Sequence, residues 1–111
     1  MINPKYQIYR NAEDGHFYYQ LIDANGEIVL NSKSHPTKQS CIEHIFSVRK
    51  YARYDSRFDR KDSFFCHAFK LKTNEDVTIG VSEHYSDTNS REQGIYAVKR
   101  DGITAPIEDL S

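Results

Sequence analysis

Displaced by 50 residues, the chain matches itself: Leu21 falls on Leu71, Ser32 on Ser82, Ser40 on Ser90, Ile45 on Ile95 and Val48 on Val98. Around the last pairs Phe46 faces Tyr96, and Arg49-Lys50 faces Lys99-Arg100. A period of this size denotes one supersecondary unit used twice, because a single copy cannot bury its own apolar face. The 111 residues give room for one domain made of two such units, 1–53 and 54–111. The repeat constrains architecture and leaves chemistry open.

In the first unit, Lys5–Arg10 alternates and is rich in β-formers. After a turn at Asp14-Gly15, residues 16–23 put Phe17, Tyr19 and Leu21 on one face, with Tyr18 and Gln20 on the other. Asn25-Gly26 predicts a two-residue hairpin with both central residues at positive φ. Residues 27–32 return with Ile28, Val29 and Leu30. Ser34-His35-Pro36 then breaks the strand, and Thr37 is placed to cap a helix running to about Arg53. Its apolar stripe is Cys41, Ile45, Val48 and Ala52.

The second unit repeats the plan. Arg57–Arg60 is a short strand with Phe58 in the place of Ile8, and Phe64–Lys72 is a long one with Phe65, His67, Phe69 and Leu71 inward. A looser turn at Asn74-Glu75-Asp76 leads to Val77–Ser82. Asp87 caps a helix through Arg100 that Gly102 ends in the left-handed conformation. Ile103–Leu110 adds an edge strand limited by Pro106. The fold class is α+β: two tandem β-β-β-α repeats forming one mostly antiparallel sheet with two helices on one side.

Fifteen Lys and Arg nearly cancel sixteen Asp and Glu, so no global field draws the chain to nucleic acid or an anionic membrane. The first six residues hold no apolar run of the signal-peptide kind, and no stretch reaches membrane-spanning length. Cys41 and Cys66 fit no metal spacing and no disulfide framework, and read as reduced thiols of a cytoplasmic protein.

Several strings carry a resemblance: Phe-Tyr-Tyr-Gln-Leu (17–21), Asn-Gly-Glu-Ile-Val-Leu-Asn-Ser (25–32) and Ile-Phe-Ser-Val-Arg-Lys (45–50). Ile-Gly-Val-Ser-Glu-His-Tyr-Ser (79–86) and Ser-Arg-Glu-Gln-Gly-Ile-Tyr-Ala-Val-Lys (90–99) add to them. Over nearly its whole length the chain resembles the YegP-like family of small bacterial tandem-repeat domains. The resemblance implies paired β-β-β-α units in one sheet, and brings no activity, cofactor or catalytic residue with it. Two departures stand out. The family's helical Gly-Ile pair survives as Gly94-Ile95 but is His44-Ile45 in the first unit, so the first helix should stand further out or turn His44 aside. The family's Asn-Gly hairpin survives only once.

Chemical motifs are sparse. Cys66 and His67 are neighbours on a strand and point to opposite faces, so they cannot pair as nucleophile and base. His16, His35, His44, His67 and His84 show no metal spacing. His35 and His84 read as polar loop residues before the helix caps, and His67 as a core or edge histidine. Arg49, Lys50, Arg53, Lys99 and Arg100 cluster at the helix ends, where cations also complement the macrodipole. Tyr9 and Tyr18, joined by Phe64, read as aromatics of the open sheet face. The expectation is a non-catalytic domain without cofactor, monomeric or weakly dimeric, binding a protein partner or a small ligand. The alternative is a weak single-stranded nucleic-acid-binding module built on the basic helix ends.

Overall fold

The computed structural model describes residues 3–111. Met1 and Ile2, which open the first repeat and the stretch read as carrying no signal peptide, lie outside the described residues. The first repeat forms β1 (Lys5–Arg10), β2 (Phe17–Ile22), β3 (Ile28–Asn31) and α1 (Lys38–Tyr51). The second forms β4 (Phe58–Asp62), β5 (His67–Lys72), β6 (Thr78–Val81), α2 (Thr88–Asp101) and β7 (Ile107–Asp109). The strands make one sheet in the order β4-β5-β6-β3-β2-β1-β7. The pairings are antiparallel except for β7, which runs parallel to β1. No helix among the described residues is long and apolar enough to cross a membrane.

The sequence repeat is a rotation in space. β3 meets β6 at Asn31 and Val81, which occupy the same position of the two units. Equivalent residues paired antiparallel place a local two-fold axis through that pair, normal to the sheet. One face of the sheet is lined by Tyr6, Ile8, Tyr19, Leu21, Leu30, Phe69 and Leu71. Cys41, Ile45 and Val48 of α1 and Ile95 and Val98 of α2 join these residues in a single core, so both helices cover that face. Thr37 and Asp87 cap the helices as their sequences require, accepting hydrogen bonds from Ser40 N and Ser90 N at 3.1 and 2.7 Å.

The hairpin turns differ from expectation in an informative way. Only Gly26 takes positive φ, at 82°, while Asn25 does not. Gly26 N donates to Asp23 O and Asp23 N to Glu27 O, a three-residue loop ending in a left-handed residue. The second hairpin is not looser but the same loop: Asp76 N donates to Thr73 O, Thr73 N to Val77 O, and Asp76 stands at φ 63°. Aspartate tolerates that region better than most residues. The Asp23 carboxylate accepts two backbone N–H bonds inside the first loop, as the Thr73 hydroxyl does in the second.

Four further expectations are corrected. Phe58 pairs with Leu71 as Tyr6 pairs with Leu21, so it stands where Tyr6 stands rather than Ile8. The loop after β4 is shorter than that after β1, and the register slides accordingly. Phe64–Cys66 belongs to a turn closed by Ser63 N to Cys66 O, leaving Phe65 83% exposed instead of inward. Gly102 ends α2 in the right-handed region, at φ −65°, as Ala52 does for α1. Glycine is needed there for space, since a Cβ would come 2.5 Å from Val98 O. Finally, His35 is buried rather than a polar loop residue, because it occupies the position of Tyr85 and not of His84.

Candidate functional site

The basic residues singled out by the sequence are largely engaged within the chain. Arg49 Nη2 donates to the Ala105 carbonyl at 2.8 Å, and its guanidinium lies over the rings of Tyr6 and Phe46. Lys99 Nζ lies 2.6 Å from Asp55 Oδ1 and over the Phe58 ring. Each helix thus sends a cation to the segment leaving the other helix. Lys99 and Arg60 together hold the Asp55 carboxyl at about 2, well below the usual carboxylate range. Arg100 forms a two-pronged contact with Asp101, at 3.0 and 2.8 Å. Lys50 stands over Tyr51, and Arg53 is exposed.

Tyr9 and Tyr18 form a stacked cross-strand pair, centroids 5.6 Å apart, and Tyr18 Oη donates to Asp14 Oδ2. Phe64 does not join them. It lies at the β4–β5 tip, on the opposite side of the sheet order, packed edge-on to Phe65. Beside that tip, Cys66 Sγ contacts His84 Nδ1, a partner 18 residues away rather than the adjacent His67. His67 instead contacts Asp62, which Arg91 also engages. Cys41 is buried, and burial pushes its thiol up to about 11.

Sequence reasoning missed a concavity between the two repeats. A cleft of about 450 Å³ opens between α2 and the β2–β3 hairpin. Its walls come from opposite repeats: Asp23, Asn25, Glu27 and Val29 from the hairpin, and Gln93, Gly94, Ala97 and Arg100 from the helix, with Tyr85 between them. Gly94 makes room for Tyr85, since a Cβ at Gly94 would lie 2.3 Å from the Tyr85 hydroxyl. Burial, and then the charges of Glu27, Glu83 and Asp23, push the Tyr85 phenol above its ordinary value. The hydroxyl therefore stays protonated in a field of negative sign.

The two-fold axis generates a second, smaller cleft of about 270 Å³ between α1 and the β5–β6 hairpin. Thr73 replaces Asp23 there, Val77 replaces Glu27, and His44 replaces Gly94. His44 is accommodated because its neighbour is His35 instead of the larger Tyr85; their rings meet edge-on at 4.4 Å. The first cleft is acidic and roomy where the second is neutral and partly filled. A sequence signal for this existed in the Gly94-to-His44 change, but the partner hairpin could not be read from it.

Fold and cleft together define a class: small α+β domains in which two β-β-β-α repeats share a sheet about a two-fold axis and hold a cleft between helix and opposite hairpin. A family model described as "Domain of unknown function (DUF1508)" matches residues 12–59 and again 66–109, one match in each repeat. The chain belongs to this family. It is 36% identical over 104 residues to a UPF0339 protein of Acinetobacter baylyi, covering 90% of this chain and 91% of the relative. It is 32% identical over 102 residues to the UPF0339 protein YegP of Escherichia coli, covering 88% and 90%. The solution NMR structure of E. coli YegP, a protein of unknown function, is similar with a TM-score of 0.90 at 29% identity, covering 99% of this chain and 95% of that one. A solution NMR structure of a UPF0339 protein from Shewanella oneidensis gives 0.90 at 28% identity, with 98% and 92% covered.

Proposed function

We propose that this protein is a non-catalytic binding module that holds a small polar ligand in the cleft between α2 and the β2–β3 hairpin. One observation carries the reading: the Gly94 cleft is concave, of the size small-molecule sites have, and edged by polar groups from two repeats. Its lining holds carboxylates, amides, two phenols, a guanidinium and the Ser90 hydroxyl, groups that can fix the orientation of a bound molecule. Cys66 and His84, which do form a thiol–imidazole contact, do not line it. The intramolecular engagement of Arg49, Lys99 and Arg100 favours this reading over a nucleic-acid interface. The two free thiols support a reducing, cytoplasmic setting.

The test is a library of small polar compounds screened by amide chemical shifts. Ligands should perturb Gly94, Gln93 and Asn25 saturably, and Gly94→Val, which displaces Tyr85 into the cleft, should abolish binding. Compounds that bind elsewhere, or bind Gly94→Val equally well, would sink the proposal.

A further inference from the structure

We infer that Cys66, paired with His84, is a modification site that takes up small disulfide compounds by thiol–disulfide exchange, with His84 as the base. The inference is independent of the cleft, whose lining contains neither residue.

Two segments bring the groups together. Cys66 closes the turn between β4 and β5, where Ser63 N donates to its carbonyl, and His84 lies between β6 and α2. The residues next to them, His67 and Tyr85, exchange backbone hydrogen bonds of 2.9 and 2.8 Å, which clamps the two segments side by side. Cys66 Sγ and His84 Nδ1 meet across that clamp. A nucleophile with a base in hydrogen-bond reach is what activation of a thiol requires. His84 is exposed and Cys66 half-buried, so a reagent reaches the pair without unfolding the chain.

The acids of the surrounding segments are committed elsewhere. Asp62 is held by His67 and Arg91, Glu83 accepts from Asn31 Nδ2, and Asp87 caps α2. His84 is thus the base in contact with the sulfur. Two internal contrasts isolate the pair. The equivalent positions of the first repeat hold His16 and Ser34, neither of them a thiol. Cys41 sits in the core, where burial pushes its thiol up to about 11, so it stays protonated and out of reach.

The exchange needs no oxidant beyond the disulfide itself. With the imidazole proton on Nε2, the thiol donates to Nδ1 and passes its proton there as Cys66 Sγ attacks one sulfur of the reagent. A Cys66–sulfur bond forms, the reagent's own disulfide breaks, and the leaving thiolate takes the proton from the imidazolium. One disulfide is consumed, and one mixed disulfide and one thiol result.

Oxidised glutathione is the probe, incubated with the full native chain and followed by site-resolved mass spectrometry. It should give a single mixed disulfide at Cys66 and leave Cys41 as the thiol. At pH 7, where an unassisted thiol is only a few per cent ionised, His84→Asn should slow the reaction about tenfold. Parent and variant should converge above about pH 9, where a thiol ionises without help. The exposed position of His84 lets the variant fold. The parent chain in urea, where the pair is separated, gives a second reference, and Cys66 should react more slowly there at pH 7 than in the native state. Modification of Cys41 as fast as Cys66, a native Cys66 that is unreactive or no faster than in urea, or the same pH profile for His84→Asn and parent would each overturn the assignment.

Discussion

Leu30 fills the space that a side chain at Gly80 would need: a Cβ there would lie 2.7 Å from Leu30 Cγ and Cδ2. Positions 30 and 80 are equivalent in the two repeats and flank the axis through Asn31 and Val81. Two leucines cannot both cross it, so the symmetry is broken where it would cause a collision. Gly80→Leu should destabilise the domain by roughly 1–3 kcal/mol, the usual cost of overpacking. Adding Leu30→Gly should restore part of the loss. Urea unfolding of the single and double variants reads this, and an unaltered midpoint for Gly80→Leu would contradict the close packing at the axis.

Tyr19 reaches across that axis, donating its buried hydroxyl to the Ile79 carbonyl at 2.5 Å. Its counterpart in the second repeat, Phe69, has no hydroxyl. Burial pushes the Tyr19 phenol far above its ordinary value, so it remains a donor throughout the accessible pH range. Tyr19→Phe should cost about 1–2 kcal/mol, the penalty for a buried carbonyl left without its donor. Equilibrium denaturation measures it, and a neutral substitution would mean that the bond contributes nothing to joining the repeats.

The His35–His44 contact predicts a pH dependence. Burial lowers the proton affinity of both rings; the charges of His44 and Lys33 act in the same direction on His35, and Lys33 does so on His44, where Glu43 opposes it. The unfolded chain therefore takes up protons first on acidification. The stabilisation is complete above the ordinary histidine value of 6.5 and is lost as pH falls below it toward the folded-state values. Replacing the pair by its second-repeat equivalents, His35→Tyr with His44→Gly, should flatten the stability profile between neutral pH and about pH 5. Thermal melts across that interval would show an unchanged slope if other groups dominate.

Arg49 ties the segment after α2 to α1 through the Ala105 carbonyl. That segment leads into β7, held by Tyr6 N to Pro106 O and Leu110 N to Ile8 O, each 2.8 Å. Arg49→Ala should speed hydrogen exchange at Leu110 while core amides such as Leu21 keep their protection. Equal acceleration at both would assign Arg49 to global stability instead.

Much of the fold was legible in the chain because its signals are local. The cap residues Thr37 and Asp87, the stripe Cys41-Ile45-Val48 and the alternation around Tyr19 each act within a few residues, and the structure follows them. The rest depends on partners distant in sequence. Asp76 gives no hint of left-handed backbone until the loop closes around Thr73. Phe58 slides to the place of Tyr6 because the loop after β4 is short, which no apolar pattern records. Cys66 finds His84 only once β5 and β6 have paired, and the cleft joins Gly94 to a hairpin formed some 70 positions earlier only after both repeats have docked.

β7 has a further consequence for how molecules meet. It covers β1, leaving as sheet borders a three-residue strand that carries Glu108 and Asp109 behind Pro106 and, at the far side, β4 with Asp59, Arg60, Lys61 and Asp62. A neighbouring chain offered either border meets charge and a shortage of free backbone, the arrangement that keeps exposed strands from annealing to one another. Concentrated solutions of this domain should therefore resist strand-to-strand polymerisation, although the sheet itself is wide and never closes into a barrel.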